Sequence, residues 1–366
     1  MKRIIALILS ALLLFSLVGC LGTNNKGTDD TDAPSLEEDE KPEWAMKSDN
    51  FTVTPAMMNY YFNTLYQQYS GIYSQMGLDT SKDLKSQPYN EGTWHDYFME
   101  MTEDNVRQLL VLCEAAKAAD YKLDDCYEHD HSADTLLKEY ETYAKMYGIS
   151  LNHFLESTYG EGVNAKVIKQ CYEISTLASH YSEHIIASYE FSYEELEKYY
   201  LENNDSFENA DYNLKSFRYI PFEKSYFNDN EEDAKEAAEY ALATFQTNPT
   251  EERFAVLSDE YAFTSYRGGL VENVDKGAIG DEVDAWLYDS QRSFGDSQVI
   301  TVDGKGSYLI YYIGNGDVKW QHQAKNALTN DRYTLEYAGL EKEHAVEYSE
   351  EGLSEVDVPL RNYKTA

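Results

Sequence analysis

The stretch Gly304–Gly314, GKGSYLIYYIG, is a run of β-formers between glycines, late in a chain whose other segments are mostly helical in period. Its length and its β-branched and aromatic content read as one buried strand. On its N-terminal side, Asp303-Gly304-Lys305-Gly306 is a tight connection, and SQVITV before it (297–302) reads as a second strand of an antiparallel hairpin. A further strand is found upstream in YNLKSFRYIPF (Tyr212–Phe222). It sets Leu214, Ser216, Arg218 and Ile220 on one parity and Lys215, Phe217 and Tyr219 on the other, and Pro221 is expected to end it. YRGGLVENV (Tyr266–Val274) supplies a Gly-Gly turn into another extended piece. Helical segments fall at Asn230–Phe245, Thr250–Tyr261 and Glu282–Ser290. The order strand, helices, strand, helix, hairpin predicts an α+β unit, a small antiparallel sheet with helices packed on it, over residues 206–319.

Upstream the period is helical throughout. Thr54-Pro55, a cap followed by proline at the first helical position, precedes Met57, Met58, Tyr61, Phe62, Leu65, Tyr66 and Tyr69 at helical spacing. Thr93-x-x-Asp96 and Ser192-x-x-Glu195 have the form of capping boxes. Further helices are predicted from Ser132 to Gly148, Ser150 to Tyr159 and Gly162 to Ser188. Residues 46–205 are therefore expected to form an all-helical domain. A C-terminal helical stretch, 320–350, is too short for a third domain and is expected to pack back on the first, leaving a frayed tail over 351–366.

The N-terminus opens with Lys2 and Arg3 before an apolar run from Ile4 to Leu17. As a helix it spans about 21 Å, short of a ~30 Å hydrocarbon core, so residues 1–20 read as a signal peptide. The run ends in Leu17-Val18-Gly19-Cys20, which resembles the lipobox of bacterial lipoproteins. That resemblance implies lipidation of Cys20 and anchoring to the outer side of the cytoplasmic membrane. Residues 21–45, acidic and poor in apolar side chains, are expected to be a disordered tether.

Acidic residues outnumber basic ones 66 to 30, a formal charge of −36 in 366 residues, which repels a phosphate backbone and argues against nucleic acid as a partner. No Gly-rich phosphate loop and no nucleophile elbow occurs, and no cofactor is expected. Cys113, Cys126 and Cys171 remain in the mature body, an odd number that makes no complete disulfide framework. His180-Tyr-Ser-Glu-His184 sets two imidazoles one turn apart, and CYEHDH (126–131) clusters further ligand types; solvated polar faces are the preferred reading of both, and no metal is assigned.

The whole order, lipobox, helical unit, small α+β unit and C-terminal helix, resembles the extracytoplasmic foldase lipoproteins of the PrsA and SurA type. In the helical half the carriers are TWHDYFMEMTEDNVRQLLVLCEAAKAADYKL and FSYEELEKYYLENN. In the second half, FRYIPF looks like the first strand of a parvulin-type peptidyl-prolyl isomerase, SDEYAFTSYRGGL like its Ser-rich loop, KGAIGDEVDAWLYDSQRSFGDSQVI like its pocket loop and helix, and GKGSYLIYYIG like its last strand. The resemblance implies a SurA-like chaperone domain around a parvulin-like domain, with unfolded or newly exported polypeptides as partners, and it leaves a homodimer open. It places the two parvulin histidines on Tyr219 and Tyr308, the apolar pocket residues on Ile279 and Val283, and the remaining polar position near Tyr261. All eight histidines and all four cysteines of the chain lie outside 206–320. Twisting an X-Pro amide over its ~18–20 kcal/mol barrier needs shape and desolvation more than proton transfer, but tyrosine cannot supply the switchable charge of histidine. The expected function is thus a membrane-anchored foldase or chaperone with a degenerate parvulin-like domain. An active isomerase is the first alternative, and a non-catalytic assembly scaffold with one specific partner is the second.

Overall fold

The computed structural model describes residues 42–123, 133–203, 207, 210–264 and 266–359. Cys20 and the Cys126–His131 cluster lie outside these residues. The architecture is α+β, and contacts divide the described chain into two units, one made of residues up to Tyr189 and from Arg332 onward, the other of Glu190–Asp331.

The second unit is built on the hairpin. Strand β7 (Ser297–Val302) and strand β8 (Gly306–Val318) pair antiparallel with Val302 opposite Gly306. Gly306 sits at φ +141°, and a Cβ there would collide with the Phe222 carbonyl and stand 2.8 Å from Glu223 Cα, so the turn and the close approach of the next strand both need glycine. Strand β5 (Asn213–Glu223) lies along the whole of β8, from Glu223 opposite Gly306 to Asn213 opposite Val318. Strand β6 (Leu270–Val274) flanks β5, and the sheet order is β6-β5-β8-β7. The expectation that Pro221 ends its strand is corrected: β5 runs on to Glu223. Pairing with β6 stops at Arg218, so the proline stands where no neighbour on that side needs its missing N–H.

Period-2 geometry sends alternate residues of β8 to opposite faces. Leu309 and Tyr311 join Ile220 and Phe222 of β5 under two helices, numbered here α7 (Glu231–Gln246) and α8 (Glu251–Tyr261), which contribute Ala234, Ala238, Ala241, Phe245, Phe254 and Leu257. The alanines on α7 let that helix lie close on the sheet. Tyr308, Ile310 and Tyr312 face the other way with Phe217, and a short helix, α9 (Asp281–Leu287), covers them with Val283, Trp286 and Leu287. This strand is therefore core on both faces, which is why its sequence shows no polar alternation.

The first unit holds α1 (Pro55–Ser74), α2 (Trp94–Ala118), α3 (Ala133–Tyr147), α4 (Leu151–Tyr159) and α5 (Ala165–Ala187). Thr54 caps α1 from its side chain with Pro55 at the first position, and the Thr93/Asp96 capping box of α2 is closed in both directions. Met57, Met58, Phe62, Phe98, Leu110, Leu155 and Ile168 form the heart of its core. Cys113 and Cys171 are buried free thiols; Cys113 Sγ donates to the Ile174 carbonyl at 3.3 Å, and burial pushes this thiol up to about 12.

Two features differ from expectation. The helical unit also carries two-residue strands: β1 (Met46–Lys47) between β2 (Thr52–Val53) and β9 (Glu347–Tyr348), and the hairpin β3 (Pro88–Tyr89) with β4 (Gly92–Thr93). Segments this short carry no readable period. Of the residues expected to fray after 350, those described, up to 359, instead form a helical turn, α11 (Glu350–Ser354), and a packed strap. Val356 is fully buried, its carbonyl lies 2.9 Å from His95 Nε2, and the Asp357 carbonyl accepts from Asn63 Nδ2. Val356 stands between Glu355 and Asp357, and its apolar neighbours Leu353 and Val358 follow no readable period.

Helix α6 (Tyr193–Glu202), capped by the closed Ser192/Glu195 box, groups with the second unit. Its Leu196, Tyr199 and Tyr200 pack on Phe207, Ala210, Trp320 and Ala324. The long helix α10 (Lys319–Glu343) begins in the second unit and passes at Arg332 into the first, where Tyr333 and Tyr337 are buried in the core. Ser182 Oγ donates to Tyr333 Oη at 2.9 Å. Among the described residues no helix is long and apolar enough to cross a membrane.

Candidate functional site

In the β5–β8 ladder Tyr219 is paired with Ile310 and Pro221 with Tyr308. The two tyrosines are thus diagonal neighbours on the face that carries α9, a relation that places Cβ atoms within reach of aromatic side chains. Both belong to one apolar cluster that also holds Val283 and Ile279. Tyr308 and Val283 are buried, while Tyr219 and Ile279 are half-buried and form its open side. Four of the five residues singled out in the sequence are thus brought together.

The fifth is not. Tyr261, the last residue of α8, lies in the cluster on the opposite face, its ring 5.1 Å from Phe222 and 5.7 Å from Phe263. Its helix packs Phe254 and Leu257 on that same side, and the chain turns only afterwards, at Ala262, which adopts a left-handed φ of +53°. The assignment of Tyr261 beside Ile279 and Val283 is therefore corrected. The segment that does reach Tyr219 comes just after: Thr264 Oγ1 donates to Tyr219 Oη at 3.3 Å, and the Tyr266 ring lies 6.3 Å away.

The backbone under Tyr219 is locked from the other side of the sheet. Arg218 donates through Nε and Nη2 to Glu251 Oε1 at 3.1 and 2.9 Å and through Nη1 to the Gly268 carbonyl at 2.9 Å. Asp259 accepts from the Gly268 N–H at 2.6 Å. Gly269, at φ +66°, passes so near the Tyr219 carbonyl that any Cβ would clash with it and with Ser258 Oγ. The Gly-Gly pair is thus a close-approach device that fixes the loop against Tyr219. On the far side of the cluster, Lys305 Nζ donates to the Ile279 carbonyl at 2.6 Å, tying the segment that leads into α9 to the β7–β8 turn.

The electrostatics favour neutral tyrosines. Burial pushes the Tyr308 phenol up to about 12, helped by the nearby charges of Glu223, Tyr219 and Tyr226. At neutral pH it is a hydrogen-bond donor and not a base. Tyr226, half exposed and stacked 5.1 Å from Phe263, also sits in this field, its phenol raised by burial and by Glu223. Tyr226, Phe263, Thr264 and Tyr266 were not foreseen as site residues. They lie in irregular segments, where periodicity is silent, and the aromatic crowding in KSYF and YAFTSY was the one signal available. With no imidazole or thiol in the cluster, the site offers an apolar floor, aromatic edges and neutral hydroxyl donors.

No protein-family model matches the chain, and no curated protein matches it. Solved structures do. PrsA of Bacillus subtilis is similar at 14% identity, with 71% of this chain and 93% of that chain covered and a TM-score of 0.35. One of two structurally related SurA-like chaperones of Campylobacter jejuni is similar at 11% identity, covering 84% of this chain and 100% of that chain, with a TM-score of 0.27. The foldase protein PrsA of Lactococcus lactis is similar at 12% identity, covering 84% of this chain and 96% of that chain, with a TM-score of 0.26.

Proposed function

We propose that the chain is a folding factor anchored to the membrane through Cys20, acting outside the cytoplasm and binding unfolded or newly exported polypeptides on the sheet face that carries Tyr219 and Tyr308. The observation that carries this reading is the convergence of Tyr219, Tyr308, Ile279 and Val283 into one apolar cluster open along Tyr219 and Ile279. Such a face buries an apolar or prolyl side chain and offers hydroxyl donors to its carbonyls. The parvulin-like unit acts here by binding, because the two positions that would carry imidazoles hold neutral phenols. The LVGC sequence supports the anchor, and the acidic stretch after it supports a tether that holds the body away from the membrane.

The test is photo-crosslinking from position 266 or 226, both half exposed at the rim, to a reduced and chemically unfolded secretory protein. The expected result is a crosslink that competing proline-containing peptide removes. Absence of any crosslink to unfolded protein, with one stoichiometric native partner recovered instead, contradicts client binding and favours an assembly scaffold.

A further inference from the structure

The face that carries Tyr308 continues along β8 to Tyr312, and there its chemistry changes. Lys215 Nζ lies 4.8 Å from the centre of the Tyr288 ring, and Lys276 Nζ lies 4.6 Å from the same ring and 4.4 Å from that of Tyr212. Two ammonium groups therefore share one aromatic ring. Lys215 spends donors on Asn315 Oδ1 at 2.6 Å and Tyr312 Oη at 3.4 Å, both neutral. The ammonium of Lys276, an exposed residue, has no hydrogen-bond or ion-pair partner among the described residues. Two carboxylates stand nearby, and Asp284 lies in the field of Lys276 without a direct ion pair to it. Asp275 takes Lys319 at 2.7 Å, the Tyr212 hydroxyl and the Lys276 backbone N–H, and Asp284 accepts the Gly277 N–H at 2.7 Å.

In a chain with 66 acidic and 30 basic residues, Lys215 and Lys276 share one ring and neither makes a direct ion pair with a carboxylate among the described residues. A π face holds an ammonium without neutralising it, so both keep their full charge. The Tyr288 hydroxyl is buried and has no hydrogen-bond partner among the described residues. Two like charges are thus held on one ring, with an unpaired hydroxyl beside them. An anion relieves both conditions. The chain's net negative charge repels acidic segments, and two ammonium groups side by side oppose that repulsion locally.

We propose that Lys215 and Lys276, around Tyr288, form a carboxylate subsite that receives an acidic residue or the free C-terminus of a polypeptide bound at the rim of this face. The inference rests on the polypeptide-binding reading above and adds a specificity to it. Tyr308 and Tyr312 are four residues apart on one strand, about 13 Å, so the carboxylate belongs about four extended residues from the side chain that sits against Tyr308.

The experiment uses the full chain in mild detergent and N-terminally labelled peptides with one Ala-Pro-Phe core. One carries Gln four residues before and four residues after the proline. Two others place Glu at one or the other of these positions, and a fourth ends there as a free acid. At low salt, binding of one Glu peptide about fivefold tighter than the Gln peptide is expected. The advantage should vanish in Lys276→Gln and in Lys215→Gln/Lys276→Gln, and at about 1 M salt, while the Gln peptide binds as before. Tighter binding of the free-acid peptide alone assigns the subsite to a chain end. Equal binding of all four peptides to the unsubstituted protein overturns the carboxylate subsite and leaves the polypeptide-binding reading standing. No binding of any peptide overturns both.

Discussion

Tyr219 and Tyr308 stand diagonally across the β5–β8 ladder, two positions out of register and on the same face, with Thr264 donating to Tyr219 and no donor or acceptor among the described residues reaching the Tyr308 hydroxyl. By resemblance these are the two histidine positions of a parvulin. The double substitution Tyr219→His/Tyr308→His is predicted to raise the rate of X-Pro isomerisation in a proline tetrapeptide assay above that of the unsubstituted chain. The unsubstituted chain is predicted to stay near the uncatalysed rate. A rate well above background in the unsubstituted chain contradicts the binding-only reading of this unit.

The raised phenol of Tyr308 gives a sign to the alkaline stability of the second unit. An unfolded tyrosine titrates near 10, the folded one at about 12, so the neutral form is favoured by the fold. The contribution is complete below pH ~10 and is lost as pH rises through about 12. Chemical denaturation between pH 9 and 12 should show Tyr308→Phe losing less stability with pH than the parent. Parallel curves would contradict the placement of this phenol in a buried, negatively charged field.

Gly269→Ala is predicted to destabilise the second unit by about 2–4 kcal/mol, since the new methyl meets the Tyr219 carbonyl at a positive φ. Because the clash acts at Tyr219, affinity for proline-containing peptide should fall as well, at temperatures where the variant is still folded. Gly277→Ala is the control, strained by its own φ of +82° but with open space around it. It should lose about 1 kcal/mol and leave peptide affinity unchanged.

Much of the second unit was legible because its strands are long and its turns are specified by glycine. GKGSYLIYYIG and FRYIPF have a length, a composition and a turn that allow few alternatives, and the face that Tyr219 and Tyr308 share follows from period 2 once the two strands are paired. Helix starts were equally legible, because Thr54, Thr93, Ser192, Asn230 and Thr250 each state a cap. What escaped was set by tertiary contact. Tyr261 ended on the wrong face because the loop after α8 turns at Ala262, a residue with no turn signal. The strap at Val356 is held by His95 and Asn63, partners 261 and 294 residues away from the groups they bind. Lys215, Lys276 and the Tyr288 ring they share come from three separate segments, and no local pattern joins them.

The most direct test of the central claim is whether the full chain, in mild detergent, suppresses aggregation of a reduced, unfolded client followed by light scattering. The account predicts dose-dependent suppression at near-stoichiometric ratios, weakened when Tyr219 and Ile279 on the open side of the cluster are both replaced by Asp. Light scattering unchanged by the unsubstituted chain, or suppression undiminished in the Tyr219→Asp/Ile279→Asp variant while it remains folded, would contradict the claim that this face binds unfolded polypeptide.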